Sequence, residues 1–138
     1  MKILPFQRRI RHPFFPELAA VPAAEASGRS TALAGTFGEL ARAAARGVRV
    51  RRAVYVLTYT DPFLSDGERD ELWNMFQVPV YALLMDHGGR MLAWECEAQN
   101  GLHREAGRGF AVERSLCSCG RPGARLLLAR SLATHAAD

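Results

Sequence analysis

Three cysteines and one histidine carry the groups best suited to chemistry in this chain. Cys96, His103, Cys117 and Cys119 follow a C-x6-H-x13-C-x-C spacing. Three thiolates and one imidazole make a complete ligand set for a closed, tetrahedral zinc site. With all four positions filled by protein, none is left for water or substrate, so the expected zinc is structural rather than catalytic. Gly120 follows the last cysteine. It lets the backbone fold back so that N–H groups beyond the loop donate to the sulfurs, which holds thiolates on a metal. In small peptides a structural zinc is worth about 10–16 kcal/mol, and much of that becomes folding energy.

Other chemistries use the same residues. Cys96 and His103 can form a nucleophile–base pair, although no oxyanion hole or orienting acid is evident nearby. Cys117 and Cys119 can form a redox pair. The cysteines can also be independent, buried or superficial. Iron accepts thiolates too, while the histidine favours zinc. His12, His87 and His135 lack neighbours of the ligand type and read as surface residues; His87 is the one that could replace His103.

These residues sit in a chain of 138 residues, nearly half of them hydrophobic. That length suits one domain with one core. An odd number of clustered cysteines points to metal rather than disulfides in a reducing compartment. No apolar run approaches a membrane span, and the start has no secretory pattern. The expectation is a cytoplasmic protein with no membrane contact. The charge is uneven. Residues 1–52 hold Lys2 and nine arginines against three glutamates, a balance of +7. Residues 53–138 hold eight arginines against eleven acids, a balance of −3. The basic half suits a solvated surface, an acidic partner or nucleic acid.

The elements that must position the four residues follow from local pattern. Residues 1–29 read as an irregular Pro/Phe-rich arm, because Pro5, Pro13, Pro16 and Pro22 break helices and interior strands. Its Phe6, Phe14, Phe15 and Leu18 can pack on the domain or dock a partner. Residues 30–138 read as a single α/β domain. Thr36 and Glu39 form a capping box that opens a helix over 36–46, and Gly47 stops it. Residues 48–58 read as a strand whose apolar run, 53–57, is covered on both faces. Ser65 and Glu68 cap a second helix reaching Phe76, with Leu72, Trp73 and Phe76 as its buried stripe. Residues 80–85 and 91–96 form a hairpin around Asp86-His-Gly-Gly89, with Cys96 at its far end. A short strand over 110–114 and a helix over 125–136 complete the chain. The expected fold is a small mixed sheet with helices packed on it, extended by a zinc-bound β-hairpin.

Several stretches together resemble a known family. They are Ser65-Asp-Gly-Glu-Arg-Asp-Glu-Leu-Trp-Asn-Met-Phe76, Val80-Tyr81, Ala93-Trp-Glu-Cys-Glu97, Gly101-Leu-His103 and Cys117-Ser-Cys-Gly-Arg121. Over residues 53–125 the chain resembles phenylacetate–CoA ligase-like adenylate-forming enzymes. In that family a helix, a strand, an ECE…GLH segment and, in some members, a CxCGR loop complete a zinc site. The resemblance implies the same ligands that spacing nominates: Cys96, His103, Cys117 and Cys119.

The chain departs from the family where catalysis resides. It has no Ser/Thr/Gly-rich phosphate loop. The place of the aromatic-Gly-x-Thr/Ser-Glu motif, which binds AMP and magnesium, reads Leu83-Leu-Met-Asp-His-Gly-Gly89. Its only lysine is Lys2, far from the C-terminal place of the family's catalytic lysine. Without those groups the transferred charge has no stabiliser, and ligase activity is not expected of this chain alone. The expected function is a non-catalytic zinc-binding accessory or interaction protein derived from such an enzyme, with a protein partner that is itself adenylate-forming. The alternatives are a subunit of a split acyl-CoA ligase, and a zinc-stabilised nucleic-acid binder using Arg8, Arg9, Arg11, Arg49, Arg51 and Arg52.

Overall fold

The computed structural model describes residues 9–59, 64–98, 102–104, 112–113, 119 and 125–126. The fold is mixed α/β, with parallel and antiparallel strands and helices packed on sheet. The chain divides into two compact units. One comprises Met1–Leu57 and Leu64–Val80; the other comprises Thr58–Phe63 and Tyr81–Asp138.

The first unit begins where an irregular arm was expected. Residues 10–22 form a hairpin instead. β1 (Ile10–His12) pairs antiparallel with β2 (Phe15–Pro22), and β2 continues parallel to β3 (Arg29–Gly35). The prolines sit where strands tolerate them. Pro13 lies in the turn and Pro22 is the last residue of β2. Pro16 precedes the register of β2 with β3, which starts at Val21. His12, expected on the surface, is 0% exposed. Its ring stacks on Phe15 at 4.3 Å between centroids. Its Nδ1 accepts the Phe14 N–H at 3.0 Å, so the buried polar group is satisfied.

β3, α1 (Phe37–Ala45) and β4 (Arg49–Thr58) form a parallel crossover. The capping box of α1 is present: Glu39 N–H donates to Thr36 Oγ1 at 3.2 Å, and Thr36 N–H to Glu39 Oε1 at 2.9 Å. Gly47, at φ 91°, takes the left-handed conformation that ends the helix. The Arg46 guanidinium donates to the carbonyls of Ala23 and Ala26 at 2.9 and 3.1 Å. This ties α1 to the 3-10 turn at Ala23–Glu25. Gly35 is required by closeness: a Cβ there would stand 2.9 Å from the Ala23 Cβ. α2 (Asp66–Phe76) opens on the Ser65–Glu68 capping box and packs against α1. Leu72 and Phe76 are buried as expected, but Trp73 is 47% exposed. At about 100° per residue, position 73 turns away from the line joining 72 and 76.

The second unit is an antiparallel ribbon. β5 (Val80–Met85), β6 (Met91–Trp94), β7 (Leu102–Arg104), β8 (Val112–Glu113) and β9 (Arg125–Leu126) run in the order β5-β6-β7-β9-β8. The expected β5–β6 hairpin forms, with Leu83 opposite Trp94 and Leu84 opposite Ala93. Its turn is held by the Asp86 carboxylate, which accepts the N–H groups of Gly88 and Arg90 at 2.9 and 2.8 Å. Arg125 and Leu126 are strand, not the start of a helix: they pair with His103 and Leu102. The remainder of the expected terminal helix lies outside the described residues.

Candidate metal centre

The strands of the second unit bring the predicted ligands together from distant parts of the sequence. β6 ends at Trp94, and two residues later the chain delivers Cys96. The intervening Glu95 extends the hairpin ladder, its N–H donating to the Ala82 carbonyl at 3.0 Å. β7 runs back beside β6 with His103 opposite Trp94. β9 in turn places Arg125 opposite His103. His103 thus lies on a strand flanked by β6 and β9, so its backbone is set by the sheet rather than by a loop.

Cys96, His103 and Cys119 each offer one ligand atom, and these atoms all lie within 4.8 Å of one another. His103 Nε2 and Cys119 Sγ are 3.6 Å apart. Around a tetrahedral zinc, bond lengths near 2.3 Å to sulfur and 2.0 Å to nitrogen set an S···N edge of about 3.5 Å. The observed distance fits that edge. Cys96 is 0% and His103 2% exposed, whereas Cys119 is half-buried. The cluster therefore has two donors in the interior and one toward its rim. Cys117, the fourth expected ligand, lies outside the described residues. His87 takes no part; it is exposed and stacks on Tyr59 at 6.0 Å.

The surroundings suit sulfur anions held in place. Ala98 N–H donates to Cys96 Sγ at 3.4 Å, the kind of bond that orients a thiolate on a metal. Sequence reasoning expected such donors beyond Gly120; the structure supplies one just after Cys96. No family model matches the chain, and no curated protein does.

One contributor was missed from sequence. Glu95 lies between two buried residues and would be expected to point to solvent, yet it is 3% exposed. Its Oε1 accepts the Ala82 N–H at 2.7 Å, so the carboxylate locks β5 to the hairpin arm that delivers Cys96. Tyr81 is affected by the same environment. Burial pushes its phenol above the ordinary value, and negative charge at Glu97, Cys96 and Glu95 pushes it further the same way. Tyr81 therefore stays neutral beside the cluster and adds no charge to it. No helix among the described residues is long and apolar enough to cross a membrane.

Proposed function

We propose that this chain is a non-catalytic zinc protein, an accessory or interaction subunit whose second unit is clipped by a structural Cys/His site. The convergence of Cys96, His103 and Cys119, with a 3.6 Å S···N separation, carries the reading. Two thiolates and an imidazole are borderline-soft donors that zinc takes readily. Cys117, two residues from Cys119, is the fourth donor by sequence. A site closed in this way stabilises a fold and offers no coordination position for a substrate.

The resemblance to phenylacetate–CoA ligase-like enzymes supplies the second part of the proposal: descent from such an enzyme, with a protein partner in its place of action. The missing phosphate loop, magnesium motif and catalytic lysine support a role without adenylation.

Metal analysis of chain purified under reducing conditions tests the first part. One equivalent of zinc is expected, and cobalt exchanged into the site should show thiolate-to-metal charge-transfer bands. Cys96→Ser should lower the metal content and change those bands. Chain that is folded and metal-free, or a cobalt spectrum without thiolate bands, sinks the proposal. ATP–pyrophosphate exchange tests the second part. It should be absent for the chain alone. Exchange that appears only when an adenylate-forming partner chain is added would replace the accessory reading with that of a split ligase.

A further inference from the structure

The open end of β4, in the first unit, is an element that the metal centre does not involve. On its β3 side, β4 is paired from Arg49 through Val56. On the other side, β5 is the neighbouring strand; Val54 N–H donates to the Pro79 carbonyl at 3.0 Å, and β5 begins at the next residue, Val80. Positions 49–53 precede that bond, ahead of the start of β5. Beside this edge lies a groove of about 370 Å³, lined by Val48, Arg49, Val50, Met75, Phe76 and Gln77 among others. Met75 is exposed at the groove and Phe76 is buried beneath it.

The same end of β4 concentrates positive charge. Arg29 and Arg49 are direct partners across β3 and β4, a like-charge pairing that costs stability. Ser30 pairs with Val50 and Ala32 with Ala53, so β4 spends one extra residue there. This bulge leaves Arg51 and Arg52 both exposed. Among the described residues, none of Arg29, Arg49, Arg51 and Arg52 makes an ion pair.

We infer that the 49–52 edge of β4 and its adjoining groove dock an extended, acidic segment of a partner protein by strand addition. An open edge presents alternate N–H and C=O groups that an added strand satisfies. The arginines reject a second copy of the same edge and admit a strand that carries carboxylates. Met75 offers apolar contact for a side chain of the added strand, and a thioether adapts to varied partners. Nucleic acid would use the arginines but leave the edge amides and carbonyls unmatched. The inference stands on the first unit alone and does not require the metal reading.

The test uses the full chain and a fluorescent peptide that alternates glutamate with valine. Anisotropy should report saturable binding that weakens with salt. Replacing Arg49 and Arg51 together by glutamate should weaken it by roughly tenfold or more, with circular dichroism checking the fold. Arg49→Ala with Arg51→Ala should weaken it less, and keeps the test readable if the glutamate variant does not fold. The same peptide methylated on alternate backbone nitrogens should not bind, because it cannot complete the ladder. Any of four results overturns the inference: no binding of the acidic peptide, equal binding of the methylated one, binding unchanged in folded variants, or tighter binding of a single-stranded oligonucleotide of matched charge. Zinc content measured on the same samples shows whether the metal reading stands or falls separately.

Discussion

In the first unit, Leu33, Leu40, Tyr55 and Leu72 are among the largest fully buried side chains; in the second, Leu83 and Leu102 share that standing with Cys96. The first unit gathers its interior from crossovers: β3 and β4 are parallel neighbours joined through a capped helix, and a second capped helix packs on the first. The second is a ribbon whose later described strands have three, two and two residues. Leu84, Ala93 and Leu102 pack there as one buried cluster. Strands that short are marginal unless something beyond the ladder fixes them. Hydrophobic burial, at about 1.5–3 kcal/mol per large aliphatic side chain, is the main favourable term for the first unit. The second places donors for a cross-link at the point where its strands are shortest.

Metal removal should separate the two most sharply. With zinc bound, the ribbon gains a share of the about 10–16 kcal/mol that such sites provide in peptides. Chelation, or His103→Ala, should therefore cost several kcal/mol, concentrated in one region. Hydrogen exchange should show lost protection at residues 91–96 and 102–104, while amides of α1 and β3 stay protected. Equal loss in both units, or in neither, would mean that the cluster is not what holds the ribbon. Acidification should act in the same direction, since thiolates and imidazole release metal as they take up protons.

The converse substitution is Leu33→Ala. It empties a fully buried position of β3 and should cost about 2–5 kcal/mol. Zinc stoichiometry should be unchanged in the fraction that remains folded. A variant that loses metal in proportion to stability would show that the two units do not hold their shapes by separate means.

What could be read from sequence follows the same division between local and distant causes. Both capping boxes were legible because the Thr36–Glu39 and Ser65–Glu68 contacts close within four residues. The Asp86-His-Gly-Gly89 turn was legible because its backbone needs positive φ, found at Gly89. Cys96, His103 and Cys119 were legible as partners by residue type alone, before any strand placed them together. The hairpin of residues 10–22 was not, because its prolines read as breakers and only the pairing shows that they fall at a turn, before a register and at a strand end. β3 was missed as well: Arg-Ser-Thr-Ala-Leu-Ala-Gly has little apolar bulk, and burial between β2 and β4 makes it a strand. Trp73 and His12 were misplaced for opposite reasons. A large aromatic beside two core positions was taken for core, and a lone histidine was taken for surface although aromatic rings enclose it.

Within the first unit, the capping boxes set a smaller scale. Thr36→Ala removes the acceptor of the Glu39 N–H and leaves the backbone N–H of residue 36 donating to the Glu39 carboxylate. A loss of about 1 kcal/mol is expected in chemical denaturation, with an unchanged slope against denaturant. Ser65→Ala should cost less. Its box is exposed, so water replaces the bonds that Ser65 Oγ makes to the Glu68 N–H at 3.1 Å and to Glu68 Oε1 at 3.2 Å. A larger loss at Ser65 would mean that α2, rather than α1, limits the stability of the unit.

The smallest effect should be a gain. α1 ends on Gly47, whereas α2 ends on Gln77 at φ 59° and ψ 34°, a left-handed conformation that favours glycine. The Gln77 side chain offsets this in part by donating to the Asn74 carbonyl at 3.2 Å, but that bond is exposed to water. Gln77→Gly relieves the backbone and gives up a weak contact, while adding chain entropy to the unfolded state. The balance should favour the variant by about 0.5–1 kcal/mol, seen as a higher denaturation midpoint for the first unit with zinc content unchanged. A lower midpoint would mean that the Gln77 side chain contributes more at the groove than its single exposed bond implies. In that case strand addition at β4 should weaken in the same variant.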